Sequence, residues 1–146
     1  MSTEAAEPVS TRVGYRLKLA QHALRTRMDD VLRPHGISAP QYAVLAAIEE
    51  APGISSAALA RTAFVTAQTM QGIVANLERA GLLSRESDPG HGRVLRTSLT
   101  AEGHAVLRRA HGAVAAVEAA MLDGLSPREV AALSSLLARC AAALAS

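Results

Sequence analysis

From Thr66 to Arg79 the chain reads TAQTMQGIVANLER, and its two faces differ in kind. At about 100° per residue, Met70, Ile73, Val74 and Leu77 form one apolar stripe. Gln68, Gly72, Ala75 and Arg79 lie opposite, flanked by Gln71 and Asn76. Gln and Asn side chains donate and accept together, the pattern an adenine edge offers in the major groove, while Thr hydroxyls reach bases or phosphates. Gly72 weakens a helix, so its place needs a reason, and close approach to a DNA groove supplies one. Arg79 lies further along and suits a phosphate. On an isolated helix such a face could equally be a solvated one, so the neighbouring elements decide.

A short helix from Ser55 to about Ala63 precedes this one and points Leu59 inward, with Ser55 and Ser56 joining the groove-facing set. Thr66 is placed to cap the next helix, and Gly81 sits where a left-handed C-terminal cap belongs. Two β-like runs follow, Leu82 to Ser87 and Arg93 to Leu99, separated by Asp88-Pro89-Gly90-His91-Gly92. This pattern predicts a hairpin with a five-residue loop. Arg85 and Arg96 lie on its arms, with His91 and Arg93 at its tip. A hairpin beside a groove-reading helix can set an arginine into the adjacent minor groove, where narrow A·T tracts concentrate negative potential. His91 either touches a phosphate or belongs to a solvated turn.

The remaining elements position this unit. Val13, Leu17, Ala20, Leu24, Met28 and Val31 recur in steps of three and four, predicting a first helix from Thr11 to Leu32. Ser38-Ala39-Pro40-Gln41 is a capping box, opening a second helix to Glu49 or Glu50 that buries Tyr42, Leu45 and Ile48. A fifth helix starts near Thr100 with Leu107, Ala110, Val114, Val117 and Met121 on one face. Ser126-Pro127-Arg128-Glu129 opens a sixth that buries Val130, Leu133, Leu137, Cys140 and Leu144. The stripes of the first and last helices need a burial partner, which a second copy of the chain provides most simply.

Composition agrees. Of 146 residues, 49% are hydrophobic and only 2% aromatic, which suits closely packed helices better than a β-sandwich. The fold class is therefore mainly α, with a two-stranded hairpin. A net charge of +2, carried by arginines and the single lysine Lys18, permits a nucleic-acid partner without requiring one. The lone Cys140 excludes an intramolecular disulfide. The opening MSTEAAEPVS lacks a basic and apolar leader, and no apolar run approaches a membrane span, so a cytoplasmic protein is expected. There is no phosphate loop, nucleophile elbow or metal-ligand array. His22, His35, His91, His104 and His111 include no helical pair of ligand spacing. An enzyme, a cofactor and a metal are not expected.

The stretch SAPQYAVLAAI, followed by SSAALARTAFVTAQTMQGIVANLERAGLLSRESDPGHGRVLRTSLTAEG, resembles the MarR family of bacterial regulators. The L-E-R-x-G-L-[LV]-x-R run, a wing ending in G-R and the L-T-x-x-G joint occur together and in order. The resemblance implies a winged helix-turn-helix fold, a homodimer whose platform comes from both chain ends, and binding of a pseudo-palindromic operator in double-stranded DNA. It implies a repressor released by a small ligand, commonly phenolic, held between platform and winged unit. Carried over, it makes Thr66, Gln68, Thr69 and Gln71 groove or phosphate contacts and Arg93 the wing-tip arginine. Many members brace that arginine with an Asp two residues earlier. Here that residue is His91, so either Asp88 braces or His91 meets a phosphate itself.

The expected organisation is a disordered tail over 1–10, a dimerisation region over 11–33 and 101–146, and a winged helix-turn-helix unit over 34–100. The expected ligand residues are Tyr15, Leu19 and His22 from the first helix and Tyr42 and Ala46 from the second. Two other readings stay open: a winged-helix protein-interaction module, and a regulator sensing oxidants through Cys140.

Overall fold

The computed structural model describes residues 6–145, apart from the side chains of 88 and 91–94. Among the described residues the helices are α1 (Val13–Leu32), α2 (Ala39–Glu50), α3 (Ser56–Ala63), α4 (Ala67–Arg79), α5 (Ala101–Leu122) and α6 (Pro127–Leu144). Strands β1 (Leu83–Asp88) and β2 (His91–Leu99) form an antiparallel hairpin between α4 and α5.

Single side chains set the helix starts. The Ser38 hydroxyl accepts from Gln41 N–H at 3.3 Å, and Gln41 Oε1 accepts from Ser38 N–H at 2.9 Å. Ser126 and Glu129 repeat this reciprocal pair at α6. Ser55, Thr66 and Thr100 cap α3, α4 and α5. Gly81, at φ 77°, ends α4 in the left-handed region that favours glycine. There the Gly81 and Leu82 N–H groups return to the Glu78 and Leu77 carbonyls, the bonding of a Schellman cap.

The core sits where α2, α3, α4 and α5 meet the base of the hairpin. Leu45, Ile48, Leu59, Met70, Val74, Leu77, Leu83 and Leu107 are almost wholly buried. Each such side chain stabilises the fold by about 1.5–3 kcal/mol. Among the described residues Thr97 is the one buried polar side chain, and its hydroxyl donates to the Ile54 carbonyl at 2.6 Å. Gly53 N–H donates to Thr97 O at 2.9 Å, sewing β2 to the segment that opens α3.

At the base of the hairpin, Thr100 joins three elements. Its hydroxyl donates to Gly81 O at 2.6 Å and accepts from Gly103 N–H at 3.0 Å, while its own N–H donates to Leu82 O at 3.1 Å. A Cβ at Gly103 would lie 1.9 Å from Leu82 O. Only glycine lets α5 come this close, which explains the last position of the L-T-x-x-G joint.

Two expectations need correction, one at the hairpin and one at α6. The hairpin loop is shorter than five residues, because Asp88 pairs with His91 and only Pro89 and Gly90 intervene. The register breaks between Ser87, opposite Leu95, and Asp88, so the surplus residues sit inside β2 as a bulge. Ahead of α1 the chain forms a 3-10 turn at Val9–Thr11, and residues 1–5 of the expected tail lie outside the described residues. Lastly, α6 buries none of its residues within one chain. Leu133, Leu137 and Cys140 are exposed and Leu144 is 88% exposed, because no element of the same chain covers that stripe. No described helix is long and apolar enough to cross a membrane.

Candidate nucleic-acid interface

The stripe of α4 packs as its spacing demands, with Met70, Val74 and Leu77 buried and Ile73 half-buried. The opposite side is bare. Thr66, Gln68, Thr69, Gln71, Gly72 and Arg79 are all exposed. The Thr66 hydroxyl accepts from Thr69 N–H at 3.1 Å and donates to Thr69 Oγ1 at 3.0 Å, ordering the first turn of the helix. A Cβ at Gly72 would meet nothing within 4 Å, so no neighbour within the chain requires glycine there. Arg79 donates to Asn76 Oδ1, one turn back along the same helix.

Ser55, Ser56, Gln71, Ala75, Arg85 and Leu95 line a cleft of about 500 Å³ between the start of α3, the outer side of α4 and the hairpin. The structure thus gathers Ser55, Ser56 and Gln71 from two helices into one concave surface. Arg85 is held there by Glu78, with Nε donating to Oε2 at 3.2 Å and Nη2 to Oε1 at 3.0 Å. The hydrogen bond from Arg85 lowers the Glu78 carboxyl below its usual range, and the same bond raises Arg85. The pair ties β1 to α4 and fixes the angle between hairpin and helix. Its signal was in the sequence, because Glu78 and Arg85 are both fixed positions of the L-E-R-x-G-L-[LV]-x-R run. Leu95, on the inner wall of the cleft, carried no comparable signal. His91 and Arg93 lie on β2, and their side chains are outside the described residues.

The expected ligand residues lie on two helices. Tyr15, Leu19 and His22 stand exposed on α1, whereas Tyr42 and Ala46 are half-buried on α2. The Tyr42 hydroxyl lies 2.6 Å from His111 Nδ1, and His111 Nε2 lies 2.9 Å from Glu49 Oε1, a chain of contacts linking α2 to α5. Burial, then the charges of Glu49 and Glu118, raise the Tyr42 hydroxyl pKa above the usual phenol value. None of the five lines the cleft of about 290 Å³ that opens between α1 and α2. Its walls include Leu24, Met28, Val44, Val65 and Ile73, with Arg25 as the cation. Arg25 Nε donates to Asp29 Oδ2 at 3.3 Å.

Comparison with known proteins agrees with this geometry. The MarR family profile matches residues 35–94, the span from the end of α1 into β2. The chain is 38% identical over 114 residues to the HTH-type transcriptional repressor Rv2887 of Mycobacterium tuberculosis, covering 78% of this chain and 82% of that one. The crystal structure of Rv2887 in complex with DNA superposes with a TM-score of 0.72 at 32% identity, over 88% of this chain and 97% of that one. Its complex with salicylic acid gives 0.72 at 34% identity, over 88% and 96%. A probable transcriptional regulator from Pseudomonas aeruginosa superposes with a TM-score of 0.83 at 28% identity, over 91% and 99%.

Proposed function

This chain belongs to the MarR family and is a DNA-binding transcriptional regulator, not an enzyme, and from that premise we propose that it is a cytoplasmic homodimeric repressor released by a small aromatic acid. The observation that carries the reading is the outer side of α4: polar, slim at Gly72, open to solvent, and set beside a braced hairpin. Thr66, Gln68, Thr69 and Gln71 enter the major groove, while Ser55, Ser56 and Arg79 meet phosphates. Arg93, with His91, reaches the adjacent minor groove. Residues 34–100 form the reading unit, and 11–33 with 101–146 form the platform.

A second copy suits the surface left open on that platform. Val13, Leu17, Ala20, Met121, Leu133 and Leu137 line one apolar groove across α1, α5 and α6, with Val13 77% exposed. Two reading helices placed by such a dimer would stand about 34 Å apart, one turn of duplex. The α1–α2 cleft, apolar with the single cation Arg25, suits an aromatic carboxylate, and salicylic acid is bound by the related Rv2887.

Fluorescence anisotropy on the duplex upstream of the protein's own coding sequence, with and without salicylate, tests the proposal. Tight binding that salicylate weakens is the expected result. Gln68→Ala should cost about 1–3 kcal/mol at particular base pairs and little elsewhere. Equal affinity for every sequence, before and after that substitution, would defeat the assignment of α4 as the reading helix.

A further inference from the structure

The turn between α3 and α4 carries an aromatic side chain that the fold does not use. Phe64 caps α3 with φ 57°, the only positive φ outside glycine among the described residues. That conformation is disfavoured for any bulky residue. Its ring is 94% exposed, more than any other large hydrophobic side chain described. The turn does not need the ring. Phe64 N–H donates to Arg61 O and Val65 N–H to Ala60 O, while Ala63 and Val65 on either side pack against the core. Glycine would make the same turn without the backbone strain and without the bare apolar surface. Whatever offsets both costs lies outside the chain.

The position says what that is. Thr66, the cap of α4, lies two residues on, at most about 7 Å away along the chain. Thr66, Gln68 and Thr69 are exposed at that same end of the helix. We infer that Phe64 is a DNA-contacting residue, its ring packing on deoxyribose carbons or a thymine methyl where α4 enters the major groove. An uncharged ring adds apolar contact and shape without releasing counterions. The inference rests on the DNA-binding function proposed above.

The test uses the full-length chain, the upstream duplex and the variants Phe64→Gly, Phe64→Asn and Phe64→Trp. Glycine and asparagine both accept the left-handed turn, so each should melt within about 5 °C of wild type. Both should bind about tenfold more weakly, with the slope of affinity against salt unchanged. The chain has no other tryptophan, so the emission of Phe64→Trp should change on saturation with duplex. A duplex with deoxyuridine in place of thymidine separates the two contacts: the loss persists for a sugar contact and vanishes for a methyl contact. Wild-type affinity in both the glycine and asparagine variants, or unchanged tryptophan emission in a bound complex, overturns the inference alone. A wild-type chain that binds no duplex overturns the proposed function and this inference together.

Discussion

Gly72 is the residue at which stability and function pull in opposite directions. It lies inside α4, where glycine is less favourable than alanine by about 1 kcal/mol, and a methyl group there would meet open space. Gly72→Ala should therefore raise the melting temperature while weakening DNA binding, because the added methyl stands on the side proposed to meet the groove. A variant both more stable and equally tight would remove the reason given for the glycine. Glu78 gives a second test at this scale. Its carboxyl pKa is lowered in the folded chain by the Arg85 hydrogen bond, so its contribution is present above the ordinary carboxylate range, about 4.3, and is lost as pH falls through the lowered value. Urea titrations of wild type and Glu78→Gln should differ above roughly pH 5 and converge in acid. A gap that widens on acidification would mean that the pair is not what titrates.

At the scale of elements, the joint between α4, the hairpin and α5 is held by backbone contact. Gly103→Ala forces a methyl onto Leu82 O and should cost about 2–3 kcal/mol, read as a lowered urea midpoint with the helix content retained. If the midpoint does not move, α5 can shift away freely and the joint is soft. This element was legible in sequence as a motif, but its cause was not, because a Leu82–Gly103 approach is a tertiary fact. Helix starts were legible for the opposite reason: Ser38 with Gln41, Ser126 with Glu129, and Thr66 with Thr69 are local hydrogen bonds, written within four residues. The hairpin loop was misjudged because Pro89 and Gly90 mark a turn correctly, whereas the bulge opposite Ser87 depends on a register that composition does not encode. The Tyr42–His111 contact was not legible, because its two partners stand 69 residues apart. The polar side of α4 was legible because a single helix carries both its inner and its outer face.

For the molecule as a whole, the open stripe of α6 decides the outcome. Leu133 and Leu137 share the groove with Val13 and Leu17 of α1, and a folded chain gains little by leaving them in water. If the proposed dimer forms through this groove, the double substitution Leu133→Asp with Leu137→Asp should yield a monomer in sedimentation, with α1 to α5 still folded. Operator affinity should fall about a hundredfold as the second half-site is lost. A variant that stays dimeric would place the platform elsewhere. The triple contact at Thr100 has a mechanical corollary for such an assembly. Because this residue grips the end of α4, the root of β1 and the first turn of α5 at once, the chain has no slack bearing between the proposed platform and the proposed reading head. A tilt of α5, whatever drives it, swings helix and hairpin together like one paddle on a crank. The hairpin tip, farthest from the pivot, sweeps the widest arc and would be the first part to leave the groove proposed for it.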